Sequence, residues 1–154
     1  MSKRNRGFTL VEVLVALVVL AIGLLGMSSL MMTSMQSNQS AYLRSQASVL
    51  AYDLIERMRA NKNRAITTDD YTMAVTVNDA PADPSCPSSG CNPAQQAQLD
   101  QRQWITTRKL SIPGSTQVVT RSNNNEYVIT ISWEDSSALQ RSTSTSSFVV
   151  RVNL

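Results

Sequence analysis

"GFTLVEVLVALVVLAIGLLGMSSLMMTSM", residues 7–35, decides how the rest of the chain is read. Its last 23 residues, 13–35, carry no charge, and the next charged side chain is Arg44. At about 1.5 Å per residue a helix of that length covers roughly 35 Å, enough to cross a hydrocarbon layer of about 30 Å. Ahead of it stand Lys3, Arg4 and Arg6, a basic tip of the kind that holds an N-terminus on the cytoplasmic side. Near the start of the run sits one carboxylate, Glu12. An acid in a spanning helix is costly unless it is interfacial, protonated or paired, so its presence is a functional hint.

The rest of the composition narrows the function. The chain has 154 residues, which suits one domain, and about 120 of them remain outside the apolar segment for a small folded module. Its charges are 14 Lys+Arg against 11 Asp+Glu; removing the three basic residues of the tip leaves 11 against 11. The basicity therefore belongs to the tip. No basic stripe interleaved with aromatic residues follows, so no direct nucleic-acid binding is expected. Histidine is absent, which removes the commonest general base and the commonest metal ligand. No spacing of Ser and Asp brings together a nucleophile, a base and an orienting group, so the reading is not an enzyme, with no cofactor and no metal.

Cys86 and Cys91 lie in "PSCPSSGCNP", and in an exported domain such a pair reads as a loop-closing disulfide, with free thiols as the alternative. A zinc site would need two further ligands that the neighbouring sequence lacks.

A secretory signal peptide also begins basic and turns apolar, but "AIGLLGMSS" offers only a weak A-x-A match and the apolar run is longer than usual. A plain anchor leaves Glu12 without a reason. "RGFTLVEVLVAL" resembles instead the class III leader of type IV prepilins and pseudopilins, a short basic leader ending in Gly7 and followed by Phe8, Thr9, Leu10, Val11 and Glu12. The resemblance implies that a prepilin peptidase cuts between Gly7 and Phe8 and methylates the new amine on Phe8, and that the apolar helix is kept. It also implies that Glu12 pairs with the Phe8 amine of a neighbouring subunit during assembly. Gly7 suits the first step, since a residue without a side chain enters a narrow protease site in extended form.

Beyond residue 35 the chain turns polar but keeps helical period: Leu43, Ala47, Leu50, Leu54 and Met58 form one apolar stripe, widened by Ala51 and Ile55. Asp53 and Arg57 stand four apart in the favourable order, and Arg57, Arg59 and Lys62 crowd the end that the helix dipole keeps for cations. One nearly continuous helix is expected from about Thr9 to Ala60, weakest at Gly23 and Gly26, with Asn61 and Asn63 as breakers. Within it, Glu56, Arg57, Met58, Arg59, Ala60 and Asn61 spell "ERMRAN", a run similar to the post-membrane segment of minor pilins of the PilV, or type IV pilus modification, kind.

After the helix the period becomes two. Tyr71, Met73, Val75 and Val77 alternate with polar or small residues, as do Tyr127, Ile129, Ile131 and Trp133, and finally Phe148, Val150, Val152 and Leu154. "QWITTRKLSI" and "TQVVTR" read as strands joined by a turn at residues 113–115, with a second turn at 122–125 and "DSSALQRSTSTSS" as a polar connection. Residues 78–100 hold four of the five prolines and both cysteines. They read as a stapled loop, or as a short helix over "NPAQQAQLD" begun by Pro93. Trp104 and Trp133 are expected in the core or at an interface. The placement of the cysteines departs from major pilins, in which a disulfide commonly staples the C-terminal end.

The expected architecture is thus α+β and pilin-like: a leader over 1–7, an apolar transmembrane or filament-core helix over 8–35, and a periplasmic globular domain over 36–154. That domain holds an amphipathic helix half, 36–62, and an antiparallel sheet over about 71–154. The resemblance implies a minor pilin of a pilus tip or priming complex, seated in the inner membrane before assembly and in the extracellular pilus after it. Twitching motility and cell adhesion would belong to the whole machine. The partners so implied are the prepilin peptidase, other minor pilins, the major pilin, the inner membrane and, at the tip, an adhesin. The same leader and helix serve the minor pseudopilins of type II secretion systems, and an anchored binding module that never assembles is the remaining class.

Overall fold

The computed structural model describes residues 7–74, 80–122, 125–135 and 144–154. Helix α1, Leu10–Ala60, runs unbroken for 51 residues, roughly 76 Å at the usual rise, and passes through Gly23 and Gly26 without interruption. Thr9 caps its start in an extended conformation, and Asn61 (φ −115°, ψ 42°) ends it. Asn61 is therefore the breaker; Asn63 lies inside the short helix α2, Lys62–Thr67. Every residue over 10–39 is exposed, and the stripe of Ala47, Leu50, Ala51, Leu54, Ile55 and Met58 is buried. Among the described residues α1 is the single helix long and apolar enough to cross a membrane.

Three antiparallel strands follow in a meander of order β1-β2-β3: β1 Thr116–Arg121, β2 Glu126–Asp135 and β3 Ser144–Asn153. Their apolar face carries Val119, Tyr127, Ile129, Ile131 and Trp133, all buried, as the period of two predicts. The α+β expectation holds, with a long helix packed on an antiparallel sheet.

Between helix and sheet the structure departs from the sequence reading. Helix α3, Pro93–Ser111, is 19 residues long and absorbs most of "QWITTRKLSI", which is not a strand. Its start is strongly specified. Asn92 Oδ1 accepts from the amides of Ala94 (3.0 Å) and Gln95 (2.9 Å), Gln95 Oε1 accepts from the Asn92 amide (3.1 Å), and Pro93 opens the first turn. Trp104 and Ile105 are adjacent and both fully buried, which a half-buried strand cannot arrange because neighbouring side chains point to opposite faces. Ala97, Asp100, Trp104, Ile105 and Arg108 share one helical face instead, and Leu110 is left 78% exposed. The β-branched "ITT" gave a local strand signal that tertiary packing overrides. The turn at 113–115, with Gly114 at φ 76°, joins a helix to a strand.

One further reading changes. Residues 144–147 of the polar connection belong to β3, with Trp133 opposite Ser146 and Asp135 opposite Ser144; hydroxyl side chains fit a pleated ladder where they face cross-strand partners. Ahead of the three strands, Met73 makes one antiparallel bridge, to Val119 of β1. Val75 and Val77, residues 123–124 of the second turn, and 136–143 of the connection lie outside the described residues.

Helix α3 packs on α1, with Trp104 Nε1 donating to the Leu50 carbonyl at 2.7 Å. The far end of the sheet is tied to α2. Tyr127 Oη donates to the Ala65 carbonyl (2.8 Å), and Arg121 donates to the carbonyls of Ile66 and of Thr68 (2.9 Å), the latter two at the end of α2 where the helix dipole favours a cation. The near end is tied by Ser40 Oγ, which donates to Asp135 Oδ2 at 2.6 Å.

Candidate functional site

The head of α1 combines an acid, an aromatic ring and a glycine on an otherwise apolar rod. Residues 7–9 precede the helix, and Thr9, in an extended conformation, supports the first helical turn: its carbonyl accepts from the amides of Glu12 (3.1 Å) and Val13 (3.3 Å), and its Oγ1 from the Glu12 amide (3.3 Å). Glu12 thus lies in the first turn, where the positive end of the helix dipole favours an anion. Phe8 is 84% exposed. Phe8, Glu12, Val13, Ala16, Leu17 and Leu20 line one open concavity of about 400 Å³, so the carboxylate is set among apolar side chains.

Gly7 has nothing within 4 Å of where a Cβ would sit, and its φ lies outside the left-handed region. Among the described residues neither space nor backbone conformation demands a glycine there.

Cys86 and Cys91 are joined in a disulfide, with their Cα atoms 4.8 Å apart. Three side chains of α3 on one face hold the preceding loop by its carbonyls: Gln95 to Pro84 (3.3 Å), Gln98 to Ala82 (2.9 Å) and Arg102 to Pro81 (2.9 Å). The staple therefore rests on a fixed base.

A polar cluster behind that loop was not singled out by sequence. Asp100, 4% exposed, accepts from Tyr71 Oη (2.6 Å), Gln96 Nε2 (2.8 Å) and Arg57 Nη1 (3.5 Å), while Arg57 Nε pairs with Asp53 at 3.0 Å as the i, i+4 spacing predicts. Asn61 Nδ2 donates to Tyr71 Oη (3.1 Å) and to the Pro93 carbonyl (2.8 Å). The signal for Asp100 was its place among Ala97, Trp104 and Ile105 on one helical face. The cluster joins α1, α3 and residue 71 by mutually satisfied groups, which is fastening and not a nucleophile with a base. Arg108 is likewise buried, donating to the carbonyl and Oγ of Ser115, and burial lowers its pKa. Among the described residues no group of three or more His, Cys, Asp or Glu could hold a metal ion.

Burial first, then the hydrogen bond to Asp100, push the Tyr71 phenol well above its ordinary range, and burial raises Tyr127 as well. A raised folded pKa means that the stabilisation by the neutral phenol is complete below the unfolded value near 10 and is lost as pH rises toward the folded value. Alkaline titration of the full chain in detergent should therefore show these two phenols ionising together with loss of helix and sheet signal. In the variant carrying both Tyr71→Phe and Tyr127→Phe, stability should fall less steeply above about pH 10. An unchanged slope would contradict the assignment.

Residues 2–28 match the family model described as the prokaryotic N-terminal methylation motif, and residues 29–102 match the one described as type IV pilin Tt1218. The second match ends within α3, ahead of the sheet. No curated protein and no solved structure matches the chain. The chain thus carries the methylation motif of prepilin leaders and, over residues 29–102, a stretch similar to a type IV pilin domain.

Proposed function

We propose that this chain, with its prepilin leader motif and type IV pilin domain, works as a minor pilin of the PilV kind in a tip complex that primes pilus assembly. On this reading α1 holds it in the inner membrane with the domain over 36–154 on the periplasmic side. The peptidase cuts between Gly7 and Phe8 and methylates the Phe8 amine, and Glu12 then receives the corresponding amine of a neighbouring subunit. One observation carries the proposal: Gly7, Phe8 and Glu12 stand at the head of a helix whose residues 10–39 are all exposed, with no cover among the described residues. A rod so apolar is stable only in lipid or among other apolar helices.

The chemistry orders the steps. Before cleavage Phe8 carries a peptide nitrogen, and no cation exists at that position. Cleavage creates the amine, so processing precedes polymerisation.

Leader removal tests the first step. The mature chain should have the mass of residues 8–154 with one methyl group, and Gly7→Val should leave the full-length precursor in the membrane. Cleavage at another bond would refute the assignment of Gly7 and Phe8. The "ERMRAN" run over Glu56, Arg57, Met58, Arg59, Ala60 and Asn61 favours the pilus over a type II secretion pseudopilin. Recovery of the chain in sheared pili, and not with a secretion complex, decides between them.

A further inference from the structure

The outer edge of β3 is open among the described residues. The pairing of β2 with β3 is unbroken from Glu126 opposite Asn153 to Asp135 opposite Ser144, so β3 has no bulge. About half of its ten residues turn their N–H and C=O away from β2. The strand "STSSFVVRVN" has neither proline nor lysine, and its one charge, Arg151, lies 3.8 Å from Glu126 on its neighbour. Natural sheets usually guard an edge with those devices. The opposite edge is partly closed, since Met73 and Val119 exchange two backbone hydrogen bonds of 2.9 Å.

The apolar layer also stops unevenly. Val119, Tyr127, Ile129 and Ile131 are at most 1% exposed, whereas Phe148, Val150 and Val152 on β3 and Leu154 just after it are only half-buried. The core layer therefore continues to the open edge and is uncovered there.

Strand direction identifies the kind of partner. Asp135, at the end of β2, accepts from Ser40 of α1 (2.6 Å) and from Ser146 near the start of β3 (3.3 Å), whereas Tyr127 at the start of β2 reaches Ala65 beyond the end of α1. Hence β3 runs in the same sense as α1. A second copy joined by its own β3 through a two-fold axis would pair antiparallel and send its apolar helix the opposite way, which one membrane does not allow. A second copy offering its β1 edge would meet the Met73 bridge. We infer that β3 is a strand-addition site for a different membrane-anchored subunit of the same assembly. That subunit lays alongside it an extended strand whose alternate apolar residues extend the layer of Phe148, Val150, Val152 and Leu154.

The inference rests on the pilin reading, and one experiment separates the two. Val149→Pro and Val150→Pro are placed in the full-length chain in its own membrane; one of these adjacent amides faces away from β2, and proline there removes an outward donor while sparing the β2 ladder. The tolerated variant should be processed normally and stay protease-resistant, but be recovered with sheared pili at least about tenfold less, the equivalent of one or two lost ladder bonds. A photo-crosslinker at Val149 should give an adduct with a different chain whose own sequence carries an N-terminal methylation motif. Unchanged recovery, adducts with a second copy only, or no adduct overturns the inference, and if both proline variants unfold the crosslink decides. Failure of leader removal in the unaltered chain would instead overturn the pilin reading, whereas normal processing without an edge adduct leaves that reading in place.

Discussion

Glu12→Ala should leave the chain inserted and its leader removed while abolishing its recovery in sheared pili. The apolar span over 13–35 is untouched by the change, so insertion persists. What disappears is the anion that would neutralise a neighbour's Phe8 amine among apolar helices. Breaking an ion pair in such surroundings costs about 3–5 kcal/mol, on the order of a hundredfold or more in docking equilibrium. Thr9 still caps the helix through its carbonyl and hydroxyl, since both accept from the backbone amide of residue 12. Glu12→Asp should rescue in part, because the charge remains on a shorter stem. Equal recovery of Glu12→Ala and the unaltered chain would remove Glu12 from assembly.

Trp104→Ala should destabilise the globular domain severely. Trp104 is fully buried between α1 and α3 and holds the Leu50 carbonyl through its indole N–H at 2.7 Å. Truncating such a side chain costs about 3–5 kcal/mol, a large part of the roughly 5–15 kcal/mol that a small domain has in all. Tyr52→Ala, at a site 57% exposed on the same α1, should shift stability by no more than about 0.5 kcal/mol. Denaturant titration of the full chain in detergent micelles, followed by tryptophan emission, from Trp133 alone in Trp104→Ala and from both tryptophans in Tyr52→Ala, measures both. Similar midpoints for the two variants would mean that the interface of α1 with α3 is not a principal support of the domain.

The helix was legible because its signals are local and agree with one another. The steps from Leu43 to Met58, the Asp53 and Arg57 pair and the stop at Asn61 all lie within a few residues of what they control. The alternation in β2 was as plain, since Tyr127, Ile129, Ile131 and Trp133 have one buried face. Residues 103–112 misled because β-branched residues beside tryptophan favour a strand locally, while the Asn92 and Gln95 capping box had already begun a helix ten residues earlier. The buried polar anchors were illegible for another reason. Asp100 meets Tyr71 and Arg57, and Arg121 meets the end of α2, across separations that no local spacing records.

By itself the sequence determined the long helix, its uncharged span, the basic tip, the motif from Gly7 to Glu12 and the presence of a period-two sheet, because each depends on residue type at short spacing. Only the tertiary structure decided that α3 is a helix through Ser111 and that Arg57, Tyr71 and Asp100 form one fastening. It likewise decided that β3 runs with α1 and leaves its outer edge open. Those features depend on which surfaces are left to bury after the local elements have formed, and burial is a property of the whole chain.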